Sequence, residues 1–285
     1  GELQALGTIK LDGNYPTGTD NVALGDTALD SVEAGGVGNV AIGSKAGTAI
    51  TTGDSNILIG QCAGIAITTG AENIGIGKES LHDIQTGSSN TAIGIESLAK
   101  TTADENTAIG KLALNVNTTA SGNTAVGFSA MRCNTTGTGV AIGKCSLKSN
   151  TTGANNVAVG LESMIANTTG TRNVAVGCGA LASNVDDNDN TGIGFDALAV
   201  NTGQNNTALG SKAFRGNQTS NDGVAVGHCA LFTNTTGASN TAVGAFALKL
   251  NTTGASNTAV GKDALLANTT ASDNTAIGKN SLFAN

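Results

Sequence analysis

The pentapeptide Asn123-Thr124-Ala125-Val126-Gly127 decides the fold, because it recurs with small substitutions along almost the whole chain of 285 residues. Sixteen copies lie between Asn21 and Gly278, in steps of 16 to 18 residues. A constant period of this length is the signature of a solenoid, in which each repeat forms one coil. The last residue of every copy is glycine, which suits a corner with a positive φ or a close approach of two backbones. These corner glycines are Gly25, Gly43, Gly60, Gly77, Gly94, Gly110, Gly127, Gly143, Gly160, Gly177, Gly194, Gly210, Gly227, Gly244, Gly261 and Gly278.

The other columns of the repeat predict short parallel strands. Column two is always β-branched and column four is always aliphatic, so these two columns share one face of a strand, which we expect to pack inside the coil. Three residues after the glycine comes Ala or Ser, and a large apolar residue follows in most copies. We therefore expect an all-β fold, a parallel β-solenoid or β-roll of about sixteen 17-residue coils, each with two short strands. The repeat region covers residues 21–285 and ends in mid-repeat, and residues 1–20 are expected to form an N-terminal cap or connector.

Column three predicts contact with another chain. It is Ala in thirteen copies and never carries a charge, although it points away from the face that columns two and four share. A strand that is buried on both faces loses its polar alternation in this way. One coil is too short to wrap a second layer around itself, so the expected partner is another copy of the chain. The predicted interface residues are Ala92, Ala108, Ala125, Ala158, Ala175, Ala242 and Ala259.

One repeat carries a family resemblance. The segment Asn90-Thr91-Ala92-Ile93-Gly94-Ile95-Glu96-Ser97 resembles the head repeat of the YadA-type trimeric autotransporter adhesins. The resemblance covers residues 21–282 and implies a trimer of left-handed parallel β-rolls. The connector is longer than in that family, as in Leu147 to Gly153, and such repeats are similar to those in fibre and tail-fibre proteins of phages and large viruses.

The sequence offers little that could carry chemistry. No nucleophile, base or metal-ligand set recurs or converges, so we expect no enzyme, no catalytic residue and no cofactor. The only weak candidates for a metal site are Asp186, Asp187 and Asp189, whose carboxylates could hold a calcium ion, although a solvated loop is the simpler interpretation. The net charge of −7 with scattered Lys and Arg excludes nucleic acid as a partner, and no apolar stretch is long enough for membrane insertion.

The cysteines and the connectors bear on where the chain is assembled. Of the five cysteines, the three that share a column, Cys62, Cys145 and Cys229, lie five coils apart, which excludes a disulfide between them. Free thiols favour assembly in a reducing cytoplasm and a place on a virion or extracellular appendage. The repeated connector Asn-Thr-Thr, first seen at Asn117, is a formal glycosylation acceptor, but it also suits a turn.

Three classes of function remain open at this point. The first is a structural fibre segment of a virus or phage appendage that holds an attachment function at a distance. The second is the head of a bacterial surface adhesin, which would bind a host-surface receptor or glycan directly. The third is an ice-binding β-solenoid, because Thr occurs in half of the copies of column two.

Overall fold

The computed structural model describes residues 18–284, and they form an all-β structure. Sixteen parallel strands stack as a β-solenoid of about fifteen turns, which confirms the predicted fold class. The chain divides into two compact units, residues 1–136 and residues 137–285. Most of the predicted N-terminal cap or connector, residues 1–20, lies outside the described residues.

Each pentapeptide forms a strand of three or four residues. The first unit contains β1 Val22–Leu24, β2 Val40–Ile42, β3 Ile57–Ile59, β4 Ile74–Ile76, β5 Thr91–Ile93, β6 Thr107–Ile109 and β7 Thr124–Val126. The second unit contains β8 Gly139–Ile142, β9 Asn156–Val159, β10 Val174–Val176, β11 Thr191–Ile193, β12 Thr207–Leu209, β13 Val224–Val226, β14 Thr241–Val243, β15 Thr258–Val260 and β16 Thr275–Ile277. Within a unit, each strand pairs in register with the next, so that Ala92 lies beside Ala108 and Ala242 beside Ala259.

The rest of each coil consists of turns, so the expectation of two strands per coil is wrong. In the coil that begins at Gly110, the Ala113 N–H donates to the Gly110 carbonyl and the Asn117 N–H donates to the Leu114 carbonyl, both at 3.2 Å. Leu114 has a φ of 49°, a left-handed conformation that cannot continue a strand. The coils still bond to one another here, because the Leu114 N–H donates to the Ala130 carbonyl at 3.0 Å.

The core of each unit is lined by column three, which corrects the predicted interface. The seven alanines named above are all fully buried inside their own chain, with no exposed surface for a partner. Columns two and four are the outward columns, and their side chains are half-buried or exposed. The physical reason is the small cross-section of the coil: alanine leaves room for the buried Leu column opposite it, whereas branched side chains would not fit. Alternation along a strand shows that two faces exist but not which one is inside.

The corner glycines are required by the close contact between successive coils. Their φ angles lie between 115° and 142°, in a region that side chains rarely adopt. At Gly60 a Cβ atom would lie 2.5 Å from the Gly77 carbonyl oxygen, well inside van der Waals contact. The predicted role of these residues as structural corners agrees with this geometry.

Fully buried asparagines form two columns in the stacked coils. The asparagine before each strand accepts a hydrogen bond from the backbone N–H of the equivalent residue in the next coil, as Asn39 does from Asn56 at 2.9 Å. The connector asparagines form a second column, described below. Gly223 interrupts the first column because the ring of Phe214 occupies the space, and a Cβ at residue 223 would lie 2.3 Å from that ring.

Leu58 fills core volume that is missing in two coils, where glycine occupies the position of the buried leucine. Gly47 and Gly64 lie where other coils have a buried leucine, and Leu58 lies where other coils have alanine. The Leu58 side chain fills the space of both missing leucines, because a Cβ at residue 47 or 64 would lie 2.9 or 2.7 Å from its methyl groups. Leu58 itself is fully buried. The irregular early coils therefore keep the core volume of the regular ones.

This exchange predicts the effect of truncating Leu58. We expect Leu58→Ala to lower the free energy of unfolding by about 2 to 5 kcal/mol, because it leaves a cavity that three coils share. Adding Gly47→Leu and Gly64→Leu to that variant should recover most of the loss, whereas the same two changes in the wild-type background should destabilise by overpacking. Urea denaturation of the four chains measures this. Equal effects of the double change in both backgrounds would contradict the proposed exchange.

Candidate functional site

The outward columns form the candidate functional surface, which we call the outer sheet face and define as the side chains of columns two and four. In the first unit Ile93 and Ile109 are 36% and 38% exposed, and in the second unit Ile142 and Leu209 are 40% and 47% exposed. No charged residue occurs in either column of the sixteen strands. An uncharged surface with a regular row of exposed aliphatic side chains is a candidate interaction site.

Larger apolar side chains extend this surface at the corner. In the column directly after the corner glycines, Phe128 follows Gly127 in the first unit and Phe195 follows Gly194 in the second. Both rings are nearly half exposed. Leu161 and Ile95 occupy the same column and are similarly exposed. Other copies carry lysine here, so this column varies whereas the outer sheet face does not.

The sequence analysis missed this face because it placed columns two and four in the core. A signal was present, since threonine occupies half of the copies of column two. A hydroxyl that recurs in half of the coils is costly in a dry core unless it finds a partner, so its frequency favours an outward position.

The three acidic candidates in the connector do not converge on one point. Asp189 is exposed and forms a bidentate pair with Arg172, with distances of 2.6 Å from Nε to Oδ1 and 2.7 Å from Nη2 to Oδ2. These hydrogen bonds hold the pKa of Asp189 below its usual range. The described residues contain no group of three or more His, Cys, Asp or Glu side chains that could hold a metal ion. A calcium site at Asp186, Asp187 and Asp189 therefore finds no support.

Asp187 is the strained member of this connector. It occupies the column in which neighbouring connectors have Gly153 and Gly170, and its Oδ2 is buried without a hydrogen-bond partner. Burial raises the pKa of the Asp187 carboxyl, and the charge of Asp186 raises it further. The charged form is thus disfavoured in the folded chain.

We expect Asp187→Gly to stabilise the fold at neutral pH by about 1 kcal/mol, because it removes a buried, unsatisfied carboxylate oxygen. A raised pKa in the folded state means that the folded chain binds more protons than the unfolded one. The wild-type chain therefore loses stability as the pH rises from the ordinary aspartate value through the raised pKa. The advantage of the variant should shrink below about pH 4, where both states are protonated.

Thermal unfolding between pH 3 and pH 8 tests this prediction. Asp273→Asn is the matched control, since Asp273 is an exposed connector carboxylate in the same unit. A gain in stability for Asp187→Gly that does not vary with pH would rule out the carboxylate as its cause.

The thiols and histidines provide no reactive constellation in the described part of the chain. All five cysteines are free, with Cys145 and Cys229 buried and Cys178 exposed. The Cys229 Sγ lies 3.4 Å from His228 Nε2, but the imidazole packs edge-on against the Phe246 ring, with 5.2 Å between the ring centres. No carboxylate or oxyanion donor completes a catalytic set at this pair.

Two shallow openings lie near the shortened connector of the coil that begins at Gly94. Asp83 and Lys100 line both, and the volumes are about 400 and 300 Å³. The smaller opening also contains His82, whose Nδ1 lies 2.5 Å from Asp83 Oδ1. The larger one is lined otherwise by threonines, and the hydroxyls of Thr102 and Thr118 donate to backbone carbonyls of the next coil and not to Asp83. The residues that line the smaller opening include no Ser, Thr or Cys.

Comparisons with known proteins give no identification. No family model matches the chain, and a search of curated proteins also finds no match. Residues 18–284 contain no helix with the length and apolarity that a membrane crossing requires.

Proposed function

We propose that the chain is a structural fibre segment of a virus or phage appendage, which holds an attachment function at a distance. The observation that supports this most is the outer sheet face, a row of uncharged β-branched side chains repeated on every coil. Such a row on a stack of parallel strands suits lateral association of identical chains, because each coil offers the same shape as the next. The mechanism is mechanical, since the backbone ladder and the covered face together resist bending and proteolysis.

The proposed partner is a second and a third copy of the same chain. The resemblance to YadA-type head repeats implies a homotrimer with left-handed coils. In this trimer the outer sheet face, and not column three, would form the contact between copies of the chain. Assembly in a reducing cytoplasm, followed by display on a virion or extracellular surface, fits five free thiols.

Light scattering on the purified chain tests the assembly. We expect a mass of three times 27.8 kDa for the native chain and 27.8 kDa for a boiled, denatured control. The double variant Ile93→Glu and Ile109→Glu should dissociate the assembly, because it would bury two unpaired charges in the contact. Thr119→Glu is the matched control, since Thr119 is an exposed connector residue of the same unit outside the outer sheet face. A native mass of 27.8 kDa would contradict the trimer.

A bacterial adhesin head is an alternative with the same architecture. In that case the chain itself would bind a host-surface receptor or glycan, whereas a fibre segment would only carry a binding part. Binding of the native assembly to surfaces coated with extracellular-matrix proteins separates the two. Saturable binding would favour the adhesin.

An ice-binding solenoid is the second alternative, and one observation favours it. In β14, β15 and β16 the outward residues Thr241, Thr258 and Thr275 lie in register, beside an equally regular aliphatic row. Ice binding needs this face free, whereas the fibre covers it, so the two functions exclude each other. Thermal hysteresis in a monomeric preparation would support ice binding, and its absence in a trimeric one would support the fibre.

A further inference from the structure

The connector asparagines coincide with formal N-glycosylation sequences. Nine Asn-x-Thr tripeptides occur in the chain, and eight begin at a connector asparagine of the repeat. The eight are Asn117, Asn134, Asn150, Asn167, Asn217, Asn234, Asn251 and Asn268. The ninth begins at Asn205, two residues before β12. Sequence alone does not distinguish among the nine.

All eight connector asparagines are fully buried, with relative exposures of 0%. They lie in a column, which we call the connector ladder, in which the side-chain amide of one coil bonds to that of the coil before it. Asn167 Nδ2 donates to Asn150 Oδ1 at 2.8 Å, and Asn251 Nδ2 donates to Asn234 Oδ1 at 2.6 Å. In the first unit Asn134 Nδ2 donates to Asn117 Oδ1 at 2.8 Å.

Most ladder residues use both protons of the amide nitrogen. Asn251 Nδ2 donates its second proton to the Gly254 carbonyl at 2.8 Å, and Asn167 Nδ2 donates its own to the Gly170 carbonyl at 3.2 Å. An N-linked glycan replaces one of these two protons and must occupy space directly beside the nitrogen. That space is filled by the neighbouring coil, so a glycan and the ladder exclude each other.

Asn205 differs from the other eight. Its side chain is exposed, and its Nδ2 makes one contact, at 3.2 Å to Oδ1 of the exposed Asp222. A glycan at this nitrogen would point into solvent and would cost at most that surface contact. The chain thus contains an acceptor that the fold tolerates beside eight that it does not.

We infer that the fold forms only where the connector ladder escapes N-glycosylation, and that Asn205 is the single Asn-x-Thr acceptor compatible with the folded chain. A glycan on any of the eight ladder asparagines would leave buried amides unpaired and separate two coils. This inference does not depend on the fibre role or on the trimer. The free thiols already favour folding in a reducing cytoplasm. The connector ladder gives a second and separate reason why the chain would fold outside a secretory pathway that attaches N-linked glycans.

Expression behind a secretion signal in a eukaryotic cell tests the inference. We expect the wild-type chain to acquire glycans on ladder asparagines and to lose the protease resistance and strand circular dichroism of the same chain made in a bacterial cytoplasm. A second chain carries alanine in place of the third residue of the eight ladder tripeptides. These residues are all exposed, and the change removes the acceptor sequence but keeps the asparagine: Thr119, Thr136, Thr152, Thr169, Thr219, Thr236, Thr253 and Thr270.

The alanine chain should fold in both hosts and carry one glycan, at Asn205, which Asn205→Gln should remove without loss of the fold. Glycopeptide mass spectrometry locates the glycans. A secreted wild-type chain that is folded and glycosylated on a ladder asparagine would overturn the inference, whereas one that is folded with the ladder unoccupied would agree with it. Failure of the alanine chain to fold in the bacterial cytoplasm would also overturn it, since the stack would then depend on the hydroxyls.

Discussion

In-register stacking is the constraint on which the other features of this protein depend. It places each side chain directly beside its equivalent in the next coil, about 4.8 Å away. A buried residue must therefore be compatible with a copy of itself on both sides. Alanine and glycine satisfy this by shape, and asparagine satisfies it because its amide both donates and accepts. A buried charge would meet a like charge in every coil, which explains why the interior polar residues are amides and hydroxyls.

The buried leucine column illustrates how burial offsets backbone strain. Leu114 and its equivalents adopt left-handed conformations, with φ near 50°, at a cost of about 1 to 2 kcal/mol each. Full burial of a leucine side chain contributes about 1.5 to 3 kcal/mol, so leucine remains favourable there. Glycine avoids the strain but leaves a void. It occurs at residues 47 and 64, where Leu58 supplies the missing volume from the opposite side of the core.

The sequence predicted the solenoid, its period and the corner glycines because those follow from a repeat that can be read directly. It did not predict which strand face is inside. The side chains of columns two and four are larger than those of column three, and column four is also more apolar, so the usual burial of large aliphatic residues predicted the wrong face. The narrow cross-section of the coil leaves room inside only for the small residues of column three. The prediction of a second strand in each coil was also wrong, because Leu114 adopts a left-handed φ. This conformation results from packing in the stacked coils, and the residue type leucine does not indicate it. The Asn-Thr-Thr connector was interpreted as a turn, and its role in a buried ladder appears only when coils are stacked.

The composition of the outer sheet face bears on what covers it. Threonine occupies column two in eight copies and valine or isoleucine in the other eight, in separate runs along the stack, and these residues have similar shapes but differ in polarity. A surface that recognises ice needs hydroxyls at regular spacing, and the runs of valine and isoleucine in column two interrupt that spacing. A surface that packs against another solenoid needs regular shape, and a half-exposed hydroxyl at its margin can keep its hydration. The repeat thus preserves shape and tolerates a change in polarity, which favours a protein partner with the same spacing over a lattice of water.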